Sequence, residues 1–154
     1  MKGWITPEDC PTLASLLETI ISPMIAGCPS PICFELECDP ELPVEYSAER
    51  LVQCIQAIVA DSIEEMAQGG DLLVTVVPPK TGDSTGSSFF EIEVADTGRP
   101  MSERPKTHPF DLAALGGKLI HQDCPQGGVA VTIQLPVVPA AAEEQHPKTQ
   151  RRVA

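Results

Sequence analysis

RLVQCIQAIVADSIEEM, Arg50 to Met66, is the stretch that decides the fold. Leu51, Cys54, Ile55, Ile58, Val59, Ser62, Ile63 and Met66 recur at steps of three and one, so one face of a helix is apolar and the opposite face polar. Ser47 can cap its start, Glu49 suits the positive end of its dipole, and Gly69-Gly70 end it. Farther along, FFEIEVADTG, Phe89 to Gly98, alternates apolar and polar residues as a strand and then breaks at an Asp-x-Gly turn.

Working outward, Leu13, Leu16, Leu17, Ile20, Ile21 and Met24 form an apolar stripe, predicting a first helix over 11–25 that Pro23 kinks or ends. That face suits either the core or a homodimer, and periodicity does not separate the two. Ile32, Phe34, Leu36 and Cys38 alternate with Cys33, Glu35 and Glu37, a strand stopped by Asp39-Pro40. Leu72 to Val77 and Phe89 to Ala95 read as strands joined by a Gly/Ser/Thr loop over 80–88, hence an antiparallel hairpin. A third helix is expected around 110–115, closed by Gly116-Gly117, and Val129 to Leu135 is the last strand. The order α-β-α-β-β-α-β predicts an α/β (α+β) two-layer sandwich, with helices on one face of a mixed, largely antiparallel sheet. One domain over 1–137 is expected, and 138–154, aperiodic and rich in Pro, Ala, Glu and Gln, reads as a disordered tail.

Composition narrows the function classes. With 154 residues and 42% hydrophobic content the chain can bury a core, filled by aliphatic side chains because aromatics make up only 4%. A net charge of −12 argues against nucleic acid and anionic membrane as partners, since phosphate surfaces call for a basic face. No apolar stretch approaches the ~20 residues that cross a bilayer, and the opening residues lack a signal core, so a cytoplasmic location is the expectation. Six cysteines contain no CxxC pair, and Cys33 and Cys38 are an odd number of positions apart on a strand, so they point to opposite faces; buried free thiols are expected.

Four segments in order resemble the ATP-binding domain of histidine-kinase-like ATPases, the GHKL superfamily with its Bergerat fold. Asp39-Pro40-Glu41-Leu42-Pro43 followed by Arg50-Leu51-Val52-Gln53 is similar to the family's strand and helix start. Asp61-Ser62-Ile63-Glu64 falls on its N box, and Asp96-Thr97-Gly98-Arg99-Pro100-Met101 on its G1 box. Leu115-Gly116-Gly117-Lys118-Leu119 and Gly128-Val129-Ala130-Val131-Thr132-Ile133-Gln134-Leu135-Pro136 look like its closing motifs. The resemblance spans roughly Leu13 to Pro136 and implies ATP with Mg²⁺ as ligand. It makes Asp96, Gly98, Asp61 and Gly128 the candidate nucleotide contacts: Asp96 to accept the amino hydrogens of adenine, Gly98 to let backbone approach the ring, Asp61 to ligate Mg²⁺.

The departures bear on chemistry rather than fold. Ala57, one turn before Asp61, can neither orient water nor bind metal, so no catalytic residue is assigned. Pro100 stands where the family has its second glycine, and Val129 where it has a threonine. About nine residues, Ser102 to Phe110, separate Met101 from the expected third helix, and none is glycine, so no glycine-rich phosphate cradle can be built there. Arg99, Arg104 and Lys106 could substitute as cations, although a solvated basic loop is the favoured reading. His108, His121 and His146 sit in a loop, near a strand and in the tail, not on a phospho-accepting helix. The expectation is therefore a regulatory or interaction module in signal transduction with an eroded nucleotide site, whose partner is a kinase, a response regulator or a sigma/anti-sigma type protein. The alternative is an ATP-binding protein kinase domain, of histidine kinase or anti-sigma-factor type, acting on a separate substrate. Under that alternative an Asp96→Asn change abolishes nucleotide binding and leaves the fold intact.

Overall fold

The computed structural model describes residues 12–44, 48–78, 89–104 and 117–136. The elements run α1 (Leu13–Ala26), β1 (Ile32–Glu37), α2 (Ala48–Glu65), β2 (Gly70–Val77), β3 (Phe89–Asp96), a 3₁₀ turn (Met101–Glu103), β4 (Lys118–Asp123) and β5 (Val129–Pro136). They form one five-stranded sheet in the order β1-β2-β3-β5-β4. Strands β1 and β2 are parallel, joined through α2, and every other pairing is antiparallel. This is the mixed, largely antiparallel two-layer sandwich that the element pattern implies.

Helix α1 starts with a capping box: the Thr12 Oγ1 accepts the Ser15 amide at 3.2 Å, and the Thr12 amide donates to the Ser15 hydroxyl at 3.4 Å. Pro23 does not end the helix. It lies in the last turn, where a missing amide costs one bond at most, and its carbonyl accepts the Gly27 amide at 3.1 Å. After β1, the Asp39 carboxylate accepts the Glu41 amide at 2.9 Å, which closes the turn that the Asp-Pro pair announces.

The period-two pattern of each strand places Leu72, Val74 and Val76, then Phe90, Ile92 and Val94, then Val131, Ile133 and Leu135 on one buried face. Both helices cover that face. Leu13, Leu16, Leu17, Ile20 and Ile21 of α1, with Leu51, Cys54, Ile55, Ile58 and Val59 of α2, complete the core. The apolar stripe of α1 is thus spent inside the molecule. On the opposite sheet face Glu35, Glu37 and Asp71 are exposed, and Glu91 and Glu93 are half-buried, which puts part of the acidic excess where it costs least.

Strand β4 is a feature the sequence pattern does not announce. Leu119 and Ile120 are adjacent rather than alternating, and as an edge strand β4 needs little apolar cover; Leu119 packs on the core while Ile120 is 42% exposed. The cysteine expectation is corrected as well. Only Cys54 is buried among the described residues, Cys28, Cys38 and Cys124 are half-buried, and Cys33 is exposed. The reason is placement: Cys33 faces outward on edge strand β1, and Cys38 lies one residue beyond its end. The Ser47 cap, the 80–88 loop, the third helix at 110–115 and the tail from 138 lie outside the described residues, as do Lys106, His108 and His146. Among the described residues, no helix is long and apolar enough to cross a membrane.

Candidate functional site

Asp96 is the last residue of β3, and the pleat turns its side chain to the core face, at the end of the strand where α2 also finishes. Its side chain is fully buried. A carboxylate in such a place has to be paired and hydrogen-bonded, and the chain supplies every partner. Oδ1 accepts the Gly98 amide at 2.9 Å and the Val129 amide at 3.3 Å. Arg104 closes the ring: its Nη1 donates to Oδ2 at 3.0 Å and its Nη2 to Oδ1 at 2.5 Å, a two-pronged fork. The Ser62 hydroxyl, itself buried on α2, adds a further hydrogen bond.

Around this pair lies a second one. The Arg99 guanidinium donates to both oxygens of Glu65 at 2.7 and 3.0 Å, and the Arg104 Nε stands 3.9 Å from the same carboxylate. Glu65 is nearly buried, its side chain 8% exposed, whereas Arg99 is 55% exposed. Arg104 is only 11% exposed, and its Nε donates to the Arg99 carbonyl at 2.6 Å. Two carboxylates and two guanidiniums thus neutralise each other where α2, β3 and the 3₁₀ turn meet.

The turn is set by local chemistry. Pro100, at φ −68°, leads into Met101–Glu103, and the Asp123 carboxylate at the end of β4 accepts the Met101 amide at 2.9 Å. That bond ties the Arg104 segment to the sheet edge. Gly98 and Gly128 allow the close approaches. A Cβ on Gly98 would lie 2.6 Å from Glu65 Cβ and 2.7 Å from the Glu65 carbonyl, so the space that glycine leaves there is filled by α2. Gly128, at φ +91°, rests against the Asp96 carbonyl.

Burial pushes the Asp96 carboxyl upward, but the fork from Arg104, the Ser62 hydroxyl and the Gly98 amide outweigh it and hold the group below its ordinary value. The hydrogen bonds from Arg99 hold Glu65 below its ordinary value too, against its own burial and the nearby Asp96 charge. With both carboxyls depressed in the folded state, the unfolded chain binds more protons in the acid range. Their contribution to stability is therefore present above the ordinary carboxylate range, near pH 4, and is lost as pH falls through and below it. We expect the urea midpoint of the native chain to drop between pH 6 and pH 3 more steeply than that of an Asp96→Asn, Arg104→Met double variant; parallel profiles would contradict the assignment.

The candidate residues from the sequence separate into two groups. Asp96, Gly98 and Gly128 come together around the β3 end. Asp61 is on α2, half-buried, more than a turn before Glu65 at the helix end. No group of three His, Cys, Asp or Glu side chains with metal-binding geometry occurs among the described residues. Arg104 departs most from expectation: it is not a solvated loop residue but the main partner of Asp96. Ser62 and Glu65 were not singled out as site residues. Ser62 did carry a signal, since a hydroxyl on an apolar helix stripe calls for a buried partner; Glu65 carried none.

No family model matches the chain, and no curated protein matches it in sequence. Three-dimensional likeness is another matter. The catalytic domain of histidine kinase ThkA, in a nucleotide-free form, aligns with a TM-score of 0.60 at 18% identity, over 81% of this chain and 92% of that one. The mycobacterial sensor histidine kinase MprB aligns at 0.61 with 17% identity, over 82% and 95%. The chain has the fold of a histidine kinase catalytic domain. ThkA in complex with the response regulator TrrA also aligns, at 0.58 with 20% identity, over 83% of this chain and 41% of that one. At such identities the likeness is one of fold, and the site must be judged on its own residues.

Proposed function

We propose that this histidine-kinase-fold domain serves signal transduction as a regulatory, protein-binding module whose nucleotide site no longer takes ATP. One observation carries the reading: the Asp96 carboxylate, the group the fold would turn toward adenine, has both oxygens engaged by Arg104, with the Gly98 and Val129 amides adding to one of them. The surroundings of Asp96 support the same reading. The approach beside Gly98 is filled by Glu65 and Arg104, and Ala57 offers no polar group beside Asp61. A binding role accords with ThkA, a protein of the same fold that forms a complex with a response regulator; this chain would engage a signalling protein of comparable kind.

Thermal unfolding with Mg-ADP and Mg-ATP tests the proposal. The expected result is an unchanged midpoint at millimolar nucleotide and no phosphate incorporated from ATP. Micromolar affinity would stabilise the fold by about 2.7 kcal/mol at a hundredfold excess over Kd; the several-degree rise this produces would overturn the proposal.

A further inference from the structure

We infer that Arg104 is a tethered ligand: its guanidinium fills a receptor for planar nitrogen cations that the rest of the domain builds without it. The inference rests on the reading that this site is closed to nucleotide, and it says what closes it.

Asp96 is anchored independently of Arg104. Its strand is paired on both sides, by β2 and by β5, and its carboxylate takes the Gly98 and Val129 amides and the Ser62 hydroxyl. Withdrawing Arg104 would leave that carboxylate in place, buried, and short of two parallel N–H donors. The occupant comes from outside the strand that carries Asp96. It follows a three-residue 3₁₀ turn whose Met101 packs on the core, and besides its fork the described segment is tied by the Arg104 Nε on the Arg99 carbonyl, by the Met101 amide on Asp123 and by two turn bonds, from the Glu103 amide to the Pro100 carbonyl and the Arg104 amide to the Met101 carbonyl. A side chain inserted from the surface into a preformed acceptor has the geometry of a bound ligand on a short leash.

The surroundings also set the class of ligand. Glu65 adds a second carboxylate 3.9 Å from the Arg104 Nε, and the Arg99 carbonyl accepts that Nε at 2.6 Å. With Arg104 withdrawn, two carboxylates face one remaining guanidinium, that of Arg99. The vacated space therefore prefers a planar cation bearing paired N–H groups, a guanidinium or amidinium, over a neutral ring of the same shape.

The test is chemical rescue of Arg104→Ala. In buffer of constant ionic strength, 20 mM guanidinium replacing sodium is expected to raise the variant's Tm by about 3 °C, saturably, an effect of the size given by millimolar binding in a domain of this length. The native chain should not respond, because its own arginine holds the site, nor should an Asp96→Asn, Arg104→Ala double variant, which lacks the acceptor. If Arg104→Ala does not fold in sodium chloride, recovery of folded protein in guanidinium but not in tetramethylammonium reads the same result. A variant deaf to guanidinium in both assays, or a native chain that responds equally, overturns the inference. A native response to Mg-ATP sinks the proposed function instead, so the two failures are told apart.

Discussion

Replacing Asp96 with alanine is expected to destabilise the domain by about 3–5 kcal/mol, the range for breaking a buried ion pair from one side. The change removes the counter-charge of Arg104, which is only 11% exposed, and deprives the Gly98 and Val129 amides and the Ser62 hydroxyl of their acceptor. Because domains of this kind are stable by about 5–15 kcal/mol in all, such a loss takes a large share. Arg104→Ala is expected to cost a similar amount, since it strands the buried carboxylate. The double alanine variant should then lose clearly less than the sum of the singles, because each single leaves a charge that the double removes. Urea unfolding of the four proteins measures this; additive losses would show that the pair is not coupled. Asp96→Asn is no longer expected to leave the fold untouched, since asparagine keeps the shape but not the charge that Arg104 needs.

Gly128→Ala is expected to be at least as damaging, for a steric reason. A Cβ there would collide with the Asp96 carbonyl oxygen and stand 2.8 Å from the Thr97 Cα, both of them backbone atoms at the end of β3, where Asp96 pairs with Leu72 of β2. The residue also sits at φ +91°, where an L side chain is strained by about 1–3 kcal/mol before any contact is counted. Overpacking adds about 1–3 kcal/mol when neighbours can shift, and here the neighbours are main chain rather than the far end of a flexible side chain. The measurement is the urea midpoint, with hydrogen exchange at Val129 and Ala130 to locate the damage. A variant within 1 kcal/mol of the native chain, on the scale of an ordinary surface change, would contradict the packing at this corner. Gly127→Ala is the control: its φ is +105°, but a Cβ there meets nothing within 4 Å. Only the strain should appear in it, and the excess in Gly128→Ala measures the contact.

Most of the fold was legible because its signals are local. The three-and-one spacing of Leu51 through Met66 defines a helix face without reference to anything else, and the alternation in Phe89 to Ala95 defines a strand face in the same way. Strand β4 was not legible, because an edge strand supported by a single neighbour needs no apolar alternation of its own. The site divides on the same principle. Asp96, Gly98 and Gly128 stand in motifs whose spacing can be read along the chain. Arg104 and Glu65 are 39 residues apart in sequence and meet only because α2 ends beside the turn that follows β3.

The sequence by itself therefore determined the two-layer architecture, the apolar faces of both helices and the carboxylate at the end of β3, since each depends on the periodicity of neighbouring residues; that the α1 face packs inside the molecule was decided by the tertiary structure. Only the tertiary structure decided what that carboxylate touches. A charged side chain on a short loop reads as solvated until its neighbours are known; here the Arg104 guanidinium turns inward because Asp96, buried and acceptor-only, cannot be left without it.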